Sequence, residues 1–165
     1  MEQGAAMINI EPATPADAET ISQMVKALLE EIMSASGAAH FPVDYAATVA
    51  RSRDFLHSGG YVVLLAREEN AAVGFIALTE TRSLYAGGAF GIIPEFYVSP
   101  EWRSRKVGAL LLDAAREHGR ARGWMRLEVT TPPLPEFKRT LNFYQDNGFT
   151  VAGGRKLKTE LHSCV

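Results

Sequence analysis

The chain has 165 residues, 47% of them hydrophobic and 22% charged, which suits one soluble α/β-sized domain with a real core. A net charge of −2 gives no electrostatic reason to expect nucleic acid or an anionic membrane as partner, and no apolar run approaches the length of a bilayer span. The single cysteine, Cys164, excludes an intrachain disulfide and fits a reducing, cytoplasmic compartment.

Met1 to Ala6 is expected to be an unstructured lead-in without the pattern of a secretory signal, Met7 offers an alternative start, and residues 7–165 form a single domain. Ile8 to Ile10 reads as a first short strand. Thr14, Pro15 and Asp17 then make a helix start, with a hydroxyl cap, a proline in the first turn and an acid at the positive end. The following helix presents Ile21, Met24, Val25, Leu28, Leu29 and Ile32 on one face. Ser34 to His40 reads as a loop, and a second, less regular helix runs from Tyr45 to Leu56, ended by Ser58-Gly59-Gly60. Tyr61 to Ala66 and Ala72 to Glu80 form an antiparallel hairpin turning at Glu68 to Ala71. After a loop from Arg82 to Ala89, Gly91 to Val98 is a third long strand, and Pro94 inside it marks an edge or a bulge. A helix starting near Lys106 turns Val107, Leu110, Leu111, Ala114, Ala115 and His118 inward. Arg126 to Thr130 is a strand, and Phe137 to Asp146 is a short helix closed by Asn147-Gly148. Phe149 to Ala152 and Lys156 to Leu161 are the final strands. The order β-α-α-β-β-β-α-β-α-β-β implies a mixed sheet in one α/β domain.

Between the third strand and the long helix lies Val98-Ser-Pro-Glu-Trp-Arg-Ser-Arg-Lys-Val-Gly-Ala-Leu-Leu-Leu112. Unpaired backbone N–H groups at a helix start, a glycine that permits close approach and three nearby cations suit a pyrophosphate. This segment resembles the acyl-coenzyme A loop of the GCN5-related N-acetyltransferases, the GNAT family, whose motif is Arg/Gln-x-x-Gly-x-Gly/Ala. Here it reads Arg103-Ser104-Arg105-Lys106-Val107-Gly108, with the last glycine kept and the first replaced by Lys106. Two further stretches resemble the family: Leu141 to Phe149, with Tyr144 ahead of Gly148-Phe149, and the opening Ile8 to Ala18. Together they cover the chain from about Ile8 to Leu161 in the family's order.

The resemblance implies an α/β fold with a mixed, mostly antiparallel sheet flanked by helices, and acetyl transfer from acetyl-coenzyme A to an amine by direct attack. It implies Tyr144 as the acid for the departing thiolate, the alternative being a core aromatic. It implies Glu95 as a base acting through water, the alternative being a strand carboxylate or salt-bridge partner; Glu80 and Glu136 are weaker candidates. Phe96, Tyr97 and Val98 form the wall beside the acetyl and pantetheine groups, one backbone N–H serving the oxyanion, though Val98 also reads as plain core. Arg103, Ser104, Arg105, Lys106, Val107, Gly108 and Ala109 wrap the pyrophosphate, with Ser104 as a helix cap. Against this, Gly108 also reads as a packing glycine and the cations as solvated charges. Phe137 stands where many relatives carry a cofactor-contacting asparagine. His40, His57, His118 and His162 lack a metal-binding spacing, so no metal is expected.

The acceptor, a small-molecule amine or a peptide, is expected between the first two helices and the Arg82–Phe90 loop, among Met33, Phe41, Tyr45, Tyr85 and Phe90. Homodimers are common in the family, and no segment here specifies an interface. Lys106 and Phe137 motivate an alternative, a catalytically degenerate acyl-coenzyme A sensor or structural protein; O-acetyl transfer would differ only in the acceptor.

Overall fold

The computed structural model describes residues 7–37, 44–132, 134 and 136–162. The expected lead-in, together with His40, Phe41 and Cys164, lies outside the described residues. Strand β1 (Ile8–Pro12) pairs antiparallel with β2 (Tyr61–Glu68), and β2 with β3 (Ala71–Ser83). One half of β3 pairs with β4 (Gly88–Ile93) and the other with β5 (Phe96–Val98), both antiparallel. Strand β6 (Leu127–Val129) pairs with β4 in parallel. The six strands make one mostly antiparallel sheet in the order β1-β2-β3-β4-β6, with β5 attached to β3.

Both faces of the central strands are covered, so β2 and β3 read as continuous apolar runs rather than as alternating ones. On one face, helix α1 (Ala18–Ser36) lays Ile21 and Met24 against Val63, Leu65, Phe75, Ala77 and Tyr97. Helix α2 (Tyr45–Ser58) follows α1 and is joined to it by a hydrogen bond of 3.1 Å between Ser22 and Ser52. On the other face, helix α3 (Val107–Ala121) buries Val107, Leu111, Leu112 and Ala115 against Leu64, Ile76 and Leu78. Tyr144 of helix α4 (Lys138–Asp146) joins that second core. Each fully buried aliphatic side chain contributes about 1.5–3 kcal/mol.

Local interactions fix the helix ends, with the Thr14 start and the Gly59 stop where the sequence placed them. The Thr14 N–H donates to Asp17 Oδ2 at 2.8 Å, Asp44 Oδ1 accepts from the Ala47 N–H at 3.1 Å, and Gly37 and Gly59 end α1 and α2 with φ of 64° and 80°. Three readings need correction. Helix α1 runs on to Ser36, because only Gly37 supplies the left-handed stop. Helix α3 is rotated relative to the expected stripe, with Leu112 buried and Leu110 42% exposed. No strand forms from Phe149 to His162. Val151, Leu157 and Leu161 there are exposed, and β6 beside them is three residues long, a short template for a further ladder. Among the described residues no helix is long and apolar enough to cross a membrane.

Candidate active site

The sheet splits at one inserted residue. Thr79 faces Ile92 and Ile76 faces Phe96, so Ala77 and Leu78 on β3 oppose three residues, Ile93, Pro94 and Glu95. That is a bulge, and Pro94 has no N–H to lose there. The Ala77 N–H donates to the Glu95 carbonyl and the Ser99 N–H to the Val73 carbonyl, each at 2.9 Å. Alternation then turns the backbone groups of Glu95, Tyr97 and Ser99 toward β3, and those of Phe96 and Val98 toward the side where β6 has stopped pairing. The expected wall of Phe96, Tyr97 and Val98 therefore divides. Tyr97 gives its backbone to β3, whereas Phe96 and Val98 face the gap, the Val98 carbonyl already accepting from Arg103 Nε at 2.9 Å.

Side chains divide in the same way. Glu95 lies on the α1 face, where its Oε2 accepts a 2.6 Å hydrogen bond from the Tyr61 hydroxyl. Burial raises the Glu95 carboxyl above the ordinary carboxylate range, and the Tyr61 bond opposes that rise. Tyr144 lies on the α3 face, its ring 6.2 Å from Phe96, 5.5 Å from Phe143 and 5.3 Å from Phe149. Burial pushes its phenol well above the usual range and keeps it a hydrogen-bond donor. The two residues thus flank the split strand from opposite faces of the sheet. Tyr61 carried no signal in the sequence: it is a strand-opening tyrosine after two glycines, and only the fold brings it to Glu95.

The loop into α3 is shaped by two residues in the left-handed region, Ser104 at φ 63° and Lys106 at φ 65°. Lys106, not Ser104, occupies the N-cap position, and no side chain caps the helix. The first ladder bond runs from the Leu110 N–H to the Lys106 carbonyl at 3.0 Å, which leaves the N–H groups of Val107, Gly108 and Ala109 without intrahelical acceptors. No acid stands in the first turn, and Arg105 and Lys106 are exposed beside it. A helix start with this charge pattern suits an anion. Arg103 is otherwise engaged: its two terminal nitrogens hold both oxygens of Glu31 on α1 at 2.8 and 2.7 Å, tying the loop to the domain. Val107 has its side chain in the core. Gly108 permits close packing, because a Cβ there would lie 2.9 Å from the Phe143 ring.

Of the weaker candidates, Glu80 accepts from Trp124 Nε1 at 2.6 Å and from Arg122 at 3.4 Å, a structural tie far along β3, and Glu136 is exposed. Phe137 sits at the N-terminus of α4 and is half-buried. The expected acceptor region carries more charge than anticipated, since Arg126 lies 4.8 Å over the Phe90 ring and 5.5 Å over that of Tyr85. A groove of about 1080 Å³ runs along the outer edge of β6, bounded by Tyr144, Phe149 and residues 150–156. No group of residues among those described is arranged to hold a metal ion.

Comparison with known proteins bears on the fold. No curated protein sequence matches the chain. Among solved structures, the aminoglycoside N-acetyltransferase AAC(6')-Iy in complex with coenzyme A is 16% identical, with a TM-score of 0.79 over 98% of this chain and 100% of that one. An integron cassette protein from the mobile metagenome of Cole Harbour Salt Marsh is 22% identical, with a TM-score of 0.76 over 93% and 91% of the two chains. A predicted acetyltransferase with acetyl-coenzyme A from Clostridium acetobutylicum is 18% identical, with a TM-score of 0.71 over 94% and 97%. Identities this low speak to the shared fold. A family model described as the acetyltransferase (GNAT) domain matches residues 59–151, more than half of the chain. With that match, the split sheet and the uncapped helix start in place, the chain belongs to the GNAT acetyltransferase family.

Proposed function

We propose that the protein is an N-acetyltransferase that moves an acetyl group from acetyl-coenzyme A to a primary amine of a small molecule or peptide by direct attack. The observation that carries this reading is the placement of a half-buried carboxyl, Glu95, and a buried phenol, Tyr144, on opposite faces of one split strand. An amine enters from the α1 face and the thioester from the α3 face, and they meet in the gap.

A primary amine with pKa of about 10.4 is mostly protonated at neutral pH and must lose a proton to attack. Glu95, held above the ordinary carboxylate range by burial, takes it directly or through a water. Negative charge grows on the acetyl oxygen as the new bond forms, and the outward N–H of Phe96 or Val98 is the donor for it. Tyr144 donates a hydrogen bond to the sulfur as the C–S bond breaks, its raised pKa keeping it protonated, and the thiolate takes up the second proton that the amine nitrogen sheds once the C–N bond has formed. The N–H groups of Val107, Gly108 and Ala109, with Arg105 and Lys106, receive the pyrophosphate. Arg103 and Ser104 shape that loop, Arg103 through Glu31. Solved relatives holding coenzyme A or acetyl-coenzyme A support the donor, and one with a bisubstrate analogue of acetylneamine supports an amine acceptor. The lone cysteine supports action in a reducing cytoplasm.

The left-handed Lys106 and the aromatic at Phe137 favour a second reading, acyl-coenzyme A binding without turnover. One experiment separates the two: coenzyme A release from acetyl-coenzyme A over a panel of sisomicin, spermidine and an alanine-terminated peptide, wild type beside Tyr144→Phe. Amine-dependent release that falls in the variant supports transfer. Calorimetric binding without release on any amine supports the second reading, and absence of binding overturns both.

A further inference from the structure

We propose that Tyr61 is a positioning residue for this transfer: its hydroxyl holds Oε2 of Glu95 and leaves Oε1 to face the acceptor amine. The inference rests on Glu95 acting as the base. Tyr61 opens β2 opposite Thr79, whereas Glu95 lies beyond β3 opposite Ala77. The phenol therefore reaches across a whole strand, two strand spacings or about 10 Å. It does so over Ala77, whose small side chain leaves the face open, and arrives at 2.6 Å. Phe55 of α2 packs on the Tyr61 ring at 5.4 Å and fixes its direction.

A carboxyl at the end of a bulged strand has rotamer freedom that a base must give up before it can meet an amine. Tyr61 removes that freedom in the resting protein and satisfies one carboxylate oxygen inside a low-dielectric site. It also sets the proton affinity of the base. Burial disfavours the carboxylate, and the phenol, a donor to it, is the titratable group that offsets this. Among the described residues, the charged groups on the neighbouring elements are engaged or exposed elsewhere. On α1, Glu31 is paired with Arg103 and Glu30 with Lys26; on α2, Asp54 and His57 are exposed, and on β6 Glu128 is paired with Arg126. Burial also drives the Tyr61 phenol far above its usual range, so it remains a donor throughout the working pH range.

The test is the pH dependence of kcat/KM for Tyr61→Phe, with acetyl-coenzyme A and whichever amine of the panel turns over, beside a carbon-13 NMR titration of the Glu95 side-chain carboxyl in the whole protein. Phenylalanine keeps the ring on Phe55 and removes the donor. Without the donor the carboxylate is less favoured, so its pKa rises and the acid limb moves to higher pH by about one unit. Incorporating 3-fluorotyrosine at position 61 makes the phenol a stronger donor and moves both readings to lower pH, a control if Tyr61→Phe fails to fold. A carboxyl titration unmoved by either change overturns the proposal. So does an acid limb that disappears in Glu95→Gln but stays in place in Tyr61→Phe, an outcome that leaves Glu95 as base intact. An acid limb and rate unchanged in Glu95→Gln overturns the base itself, and with it the role of Tyr61.

Discussion

At the scale of single residues, Glu95 makes an unusual demand on the fold. Its carboxyl is raised by burial, so the folded protein binds that proton more tightly than the unfolded chain does. The sign follows: its contribution opposes folding increasingly as pH rises through the ordinary carboxylate range toward the raised folded value. Glu95→Gln removes the ionisation and keeps an acceptor for the Tyr61 hydroxyl, so its Tm at pH 7 is expected to equal or exceed that of the wild type. Its acetyl transfer is expected to fall by about 10²–10⁴-fold. Calorimetry and thiol release on the same sample check both, and a loss of Tm with retained rate would refute the assignment. Tyr144→Phe is expected to lower kcat about a hundredfold while leaving the calorimetric Kd for acetyl-coenzyme A within a few-fold, because only a hydroxyl is lost from a ring that stays packed. The place of Tyr144 on a short helix ahead of Gly148-Phe149 was legible in the sequence, because the motif is local: the tyrosine lies on α4 and the glycine just past its end. Tyr61 was not, because its partner is 34 residues away and is chosen by strand register.

At the scale of elements, the loop into α3 carries a strain that its sequence hints at. Lys106 adopts φ 65°, a conformation that is awkward for any residue with a Cβ. Lys106→Ala keeps that strain and removes the charge, and Lys106→Gly removes both. The glycine variant is expected to be more stable than the alanine variant by about 1 kcal/mol, read as a difference in urea midpoints. Both are expected to bind coenzyme A more weakly as the cation at the helix start is lost. The β4–β6 pair has the opposite character, a position that admits no side chain. A Cβ on Gly91 would run into the Trp124 ring and lie 2.7 Å from Leu127 Cδ2. Gly91→Ala is therefore expected to lower stability by about 1–3 kcal/mol, measured by denaturant unfolding. Element type was readable wherever apolar spacing or a helix-end signal decided it, as at Thr14-Pro15 and Gly59. The expected final strands failed because alternation from Phe149 onward supplies propensity but no partner, and a ladder exists only between two strands.

At the scale of the whole molecule, order follows the sheet. β2 and β3 lie at the centre with residues such as Leu65, Phe75 and Ile76 fully buried, whereas residues 150–161 are exposed and unpaired in any strand. Amide exchange is expected to be slowest in β2 and β3 and to run near the unprotected rate from Val151 to Leu161; protection in that last stretch would mean that a second surface covers it. The class of fold was visible in the order of elements, and Pro94 marked the break in the strand; which backbone groups turn into the gap was not visible, since that is set by register and register cannot be read along a single chain. That gap comes down to Pro94. Were Pro94 deleted, Ile93 and Glu95 would face Leu78 and Ala77 one for one, and β4 and β5 would fuse into one uninterrupted strand along β3 with every existing pairing kept. Phe96, Tyr97 and Val98 would keep their sides, but the splay between β4 and β5 would close, and the gap in which the proposed cofactor and acceptor meet would be lost. The proposed transfer is thus a matter of counting, one residue too many on one side of a ladder.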